Sequence, residues 1–73
     1  MIKFVEHIPA FVEIDTPRQV IKVNSLEELF DEYMFKQIRK LDSFVEFKVE
    51  EDKYLMVYFN DNSRYVVGFI YHE

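Results

Sequence analysis

Phe44-Val45-Glu46-Phe47-Lys48-Val49-Glu50 alternates apolar and charged residues. The same β-rich character runs on through Tyr54-Leu55-Met56-Val57-Tyr58-Phe59 and Tyr65-Val66-Val67-Gly68-Phe69-Ile70-Tyr71. β-Branched and aromatic residues at a period of two read as strands, here over about 43–50, 53–59 and 64–71. The linking segments Glu50-Glu51-Asp52 and Asn60-Asp61-Asn62 lack glycine. A three-residue hairpin loop ending in a left-handed residue suits both, because Asp52 and Asn62 are the non-glycine types that best tolerate that conformation. The C-terminal part of the chain is expected to be a three-stranded antiparallel meander.

Those loops set a register. Val49 is expected opposite Lys53, Phe47 opposite Leu55 and Val45 opposite Val57; on the second hairpin, Val57 faces Tyr65 and Leu55 faces Val67. One face then carries Val45, Phe47, Val49, Leu55, Val57, Phe59, Tyr65, Val67 and Phe69. A slip of one residue would mix charge into it, so the pattern supports the register. The opposite face carries Phe44, Glu46, Lys48, Tyr54, Met56, Tyr58, Arg64, Val66, Gly68 and Ile70. A solvated antiparallel face is normally polar. Tyr54, Met56, Tyr58, Val66 and Ile70 instead form an apolar, tyrosine-rich patch that calls for a cover, either the N-terminal strands or a second copy of the chain. They are the candidate interface residues. The last strand is the less constrained one, since Val66-Val67 and Phe69-Ile70 allow either face inward.

Before the meander stands Ser25-Leu26-Glu27-Glu28, a capping box in which the serine hydroxyl accepts from the Glu28 amide and the Glu28 side chain returns to the serine amide. Neither proline nor glycine interrupts the next fifteen residues. Leu26, Leu29, Phe30, Tyr33, Met34, Ile38 and Leu41 fall on one stripe at helical period, which predicts a single helix over about 26–41, seated on the apolar sheet face. Its acidic first half and basic second half oppose the helix dipole. Phe35 falls opposite the stripe, as an exposed side chain and a further interface candidate. Upstream, residues 2–8, 10–14 and 19–23 read as short strands. Pro9 divides the first two, and a turn at Asp15-Thr16-Pro17-Arg18 joins 10–14 to 19–23 in a hairpin. The expected fold class is α+β.

The chain has 73 residues, 49% of them apolar, with no cysteine and one glycine. Its length accommodates one domain. Disulfide frameworks, cysteine zinc sites and glycine-rich phosphate loops are excluded by composition. No apolar run has the length of a signal-peptide core or a membrane helix, so the expectation is a soluble, cytoplasmic protein with no membrane partner. The net charge is −5, and among the bases only Lys36, Arg39 and Lys40 cluster; direct nucleic-acid binding is not expected. A domain this small is marginal alone and commonly gains stability by association, which makes a homodimer the expected assembly.

Catalytic parts are few. His7 and His72, near opposite ends, meet only if the first and last strands are neighbours. Ser25 is taken by the cap, and Ser43 and Ser63 by connections. Asn60-Asp61-Asn62-Ser63 lacks the glycine and distal glutamate of a calcium loop. Gly68 relieves crowding beside Tyr54 or marks a bulge. No catalytic, metal or cofactor site is assigned. The leading expectation is a small non-enzymatic interaction or accessory protein that self-associates through the tyrosine-rich face or Phe35, with another protein as the other class of partner. The alternative is an acidic inhibitor or nucleic-acid mimic of a basic protein, using Glu27, Glu28, Asp31 and Glu32, with Glu46, Glu50, Glu51 and Asp52 beyond them. A third is a ligand pocket between helix and sheet, with polar groups from Tyr33, Tyr65 and Tyr71.

Overall fold

A computed structural model describes residues 1–8 and 18–73. The fold is α+β: an antiparallel sheet of five strands with two short helices on one face. In chain order these are β1 (Ile2–Glu6), β2 (Val20–Val23), α1 (Leu26–Phe30), α2 (Tyr33–Arg39), β3 (Phe44–Glu50), β4 (Tyr54–Phe59) and β5 (Arg64–His72). The order across the sheet is β2-β1-β5-β4-β3. The meander is there, but β1 joins its β5 edge and β2 joins β1, so the sheet is wider than the sequence implied. The helices lie in the connection that carries the chain from the β2 edge to the β3 edge. The expected strand over 10–14 and most of the turn that follows lie outside the described residues. The hairpin expected between 10–14 and 19–23 falls outside with it; the described pairing of β2 is with β1, Phe4 standing opposite Ile21.

The single helix over 26–41 is corrected to two. Ser25 caps α1 as its sequence requires, its hydroxyl accepting from the Glu28 amide at 3.3 Å. The Glu28 carboxylate accepts from the Asn24 amide at 3.0 Å, one residue earlier than the capping box predicts. Asp31 closes α1, and Glu32, with φ −66° and ψ 151°, turns the backbone extended before α2 starts. That break rephases the second helix. Phe35, expected outside, is fully buried, while Tyr33 and Leu41 leave the stripe at 75% and 52% exposed. The reason is packing: the Phe35 ring sits edge-on to Phe4, Phe30 and Phe47, with centroids 5.2, 5.7 and 5.2 Å away. Burying an aromatic ring of this size outweighs the few helical hydrogen bonds lost at the break. Arg39 Nη2 donates to the Phe30 carbonyl at 2.7 Å, so α2 satisfies a carbonyl that the end of α1 leaves free.

The hairpins depart from expectation in different ways. The β4–β5 loop behaves as predicted: the Asn62 amide donates to the Phe59 carbonyl at 3.1 Å and Asn62 is left-handed, φ 70°. Asp61 braces it, accepting from the Ser63 hydroxyl and amide; those two bonds, the hydroxyl's first, hold its carboxyl below the ordinary carboxylate pKa. In the β3–β4 loop both Glu51 and Asp52 are left-handed, φ 55° and 56°, with the Lys53 amide donating to the Glu50 carbonyl at 3.1 Å. That is the pattern of a two-residue reversal followed by one extra residue, and it corrects the register: Val49 faces Leu55 and Phe47 faces Val57.

Two bulges correct the faces. One lies at Val45, between the Phe44–Phe59 and Glu46–Tyr58 pairs. It leaves Val45 54% exposed instead of on the sheet floor, and sends Phe44 to the helix side, where its ring meets Phe47 at 4.9 Å. The second lies at Val67: Met56 pairs with Val66 but Leu55 pairs with Gly68. From there on β5 is turned over, so Ile70 faces the helices and Phe69 faces away. The core is Phe4, Val23, Leu29, Phe35, Leu55 and Ile70.

Candidate interaction surface

The sheet face away from the helices is the candidate site. The register assigns its residues strand by strand. Glu46, Lys48 and Glu50 of β3 stand opposite Tyr58, Met56 and Tyr54 of β4. On β5, Arg64, Val66 and Phe69 follow opposite Tyr58, Met56 and Tyr54. Phe69 then faces Val5 of β1, and Val5 faces Val20 of β2. An apolar band thus runs unbroken across all five strands but one: Met56 and Tyr54 on β4, Val66 and Phe69 on β5, Val5 on β1 and Val20 on β2. At its margins lie Lys3 and Lys22, with Tyr71 beside Lys3.

Of the five sheet residues expected in the patch, Tyr54, Met56, Tyr58 and Val66 belong to it. Ile70 does not: it is 3% exposed beneath the helices, because the Val67 bulge reverses its side. Phe35 does not either, being in the core. Phe69 and Val5 belong to the band without having been assigned to it. Val66-Val67 and Phe69-Ile70, with Gly68 between them, were the signs in the sequence that the strand could turn over.

The band has internal order. The Tyr58 hydroxyl donates to the Glu50 carboxylate. Tyr58 is level with Glu46, four residues from Glu50 along β3. At about 3.4 Å per residue the two side chains reach each other only by lying along the sheet, over the Lys48–Met56 pair between them. This accounts for Met56 being 7% exposed on the face opposite the core. Tyr54 meets Phe69 edge-on at 5.8 Å, and His7 meets the same ring at 5.7 Å from its other side of the strand. Lys53 Nζ stands 5.4 Å from the centre of the Tyr54 ring. The rim carries both signs: Lys3, Lys22, Lys48 and Arg64 against Glu46, Glu50 and Glu73, the last paired with Lys22 at 3.7 Å.

The other candidates are dispersed. β1 and β5 are neighbours, yet they run antiparallel, with Ile2 opposite His72 and Glu6 opposite Gly68. His7 and His72 therefore sit at opposite ends of that ladder, about 17 Å apart at ~3.4 Å per residue. His72 instead meets the Asp52 carboxylate at 3.1 Å. Glu27, Glu28, Asp31 and Glu32 are exposed on the helix layer, but Glu28 is engaged with Asn24, and Asp31 and Glu32 form the joint between helices. Tyr33, Tyr65 and Tyr71 are all exposed and separate, and there is no cavity among the described residues for them to line. Among the described residues no three His, Cys, Asp or Glu side chains converge as metal ligands, and no helix is long and apolar enough to cross a membrane. Comparison of the chain with family models, with curated proteins and with solved structures returns no match.

Proposed function

We propose that the chain is a small, non-enzymatic interaction protein that associates with a second copy of itself through the open sheet face. The observation that carries this reading is the continuous band from Met56 and Tyr54 through Val66 and Phe69 to Val5 and Val20, framed by a rim of mixed sign. An apolar centre with a polar rim is the anatomy of an interface. A rim that carries both signs suits a self-facing pair, because a twofold can set charges of one copy against opposite charges of the other.

Light scattering behind size exclusion, over a hundredfold range of concentration, tests the proposal. The expected result is a mass of at least twice that of the chain, lowered in Tyr58→Asp or Val66→Asp. Both variants folded by circular dichroism at an unchanged mass would overturn it.

A further inference from the structure

We propose that the free edge of β3 is a second association surface, and that its partner is the same edge of another copy. Among the described residues β3 is the outermost strand, seven residues long and paired within the sheet only to β4. Its outer backbone groups are the kind that template strand addition unless charge or distortion blocks them. The charges here are Glu46, Lys48 and Glu50, spaced by two and therefore on one face; Glu46 and Lys48 are exposed, and Glu50 is half-buried.

Their spacing makes the edge complementary to itself. In an antiparallel pairing of two β3 strands centred on Phe47, Glu46 of one copy lies opposite Lys48 of the other, and Lys48 opposite Glu46. Centring the pair on Lys48 instead sets Lys48 against Lys48 and Glu46 against Glu50. Centring it on Glu46 sets Glu46 against itself. Like charges directly opposite destabilise a strand pair and opposite charges favour it, so charge excludes both of these; a pair centred on Val49 sets Lys48 against Glu50, but that carboxylate already accepts from the Tyr58 hydroxyl, which leaves the pairing centred on Phe47. The bulge at Val45 bends the strand and confines the pairing to its remaining length. The two surfaces share the Glu46 and Lys48 side chains but differ in what they join: one joins backbone groups at the side of the sheet, the other a band of side chains on its flat.

The test is amide hydrogen exchange on the full chain at low and high concentration. The β3 amides that point away from β4 should be slowed about tenfold once the concentration is about ten times the dissociation constant. Lys48→Glu and Glu46→Lys should each abolish that protection with the fold intact by circular dichroism. The double variant Glu46→Lys/Lys48→Glu should restore it, as should an equal mixture of the two single variants. Concentration-independent exchange of those amides in the native chain, or a double variant that behaves like the singles, overturns the proposal. Val66→Asp separates the two surfaces: it should lower the mass seen by light scattering while β3 protection persists. Loss of β3 protection in a folded Val66→Asp chain would overturn the edge as an independent surface.

Discussion

Gly68 lies directly beneath the Phe4 ring. A Cβ built on it would stand 2.4 Å from Phe4 Cε2 and 2.4 Å from the Val5 carbonyl oxygen. The ring can swing away, but the carbonyl belongs to the neighbouring strand and cannot. Gly68→Ala is expected to cost about 3 kcal/mol, at the upper end for overpacking, and urea denaturation will read it; an unchanged midpoint would mean the strands separate there without penalty. Glu51 is the opposite case. Its φ of 55° is a conformation that costs a side chain about 1–2 kcal/mol and glycine very little. Glu51→Gly should therefore raise stability by about 0.5–1 kcal/mol, after the extra chain entropy of glycine is subtracted, visible as a higher thermal midpoint.

The joint between the helices is decided by one contact set. Phe35 fills the space among Phe4, Phe30 and Phe47, and Phe35→Ala should cost about 3–5 kcal/mol, enough to leave much of the chain unfolded by circular dichroism. Arg39→Ala removes the bond to the Phe30 carbonyl in an exposed setting, and about 1 kcal/mol is expected. If Phe35→Ala proves as mild as Arg39→Ala, the second helix is held by something other than its phenylalanine. The same joint marks where the sequence was legible and where it was not. The start at Ser25 was readable because a cap is a local bond between near neighbours. The break at Asp31-Glu32 was not, since nothing local forbids helix there and the deciding partner, Phe4, comes from a strand far away in the chain. Strands β3, β4 and β5 were readable from their composition and from the alternation in β3. Their bulges were not: a single extra residue at Val45 or Val67 leaves the alternation almost unaltered while reversing every side chain beyond it. So Tyr54, Met56, Tyr58 and Val66 could be assigned to the open face, whereas Ile70 and Phe69 were exchanged.

At the scale of the molecule, the width of the sheet depends on pairings that the sequence does not advertise. β1 meets β5 along its whole length, from Ile2–His72 to Glu6–Gly68, and no turn signal joins them because most of the chain lies between. The arrangement is two local hairpin-like pairs, β1 with β2 and β3 with β4, that are joined into one sheet only through β5. Among the described strands β5 is synthesised after the others, and the continuity of the sheet depends on it. A nascent chain that has reached Asn62 holds every other strand and both helices but no continuous sheet, since Phe4 still lacks Ile70 beside it and Leu55 lacks Gly68. Chains interrupted before Arg64 would expose both sets of unpaired strand edges at once. A product that lacks β5 would thus lie open along the middle of its sheet, where extended, unpaired strands are what proteases cleave.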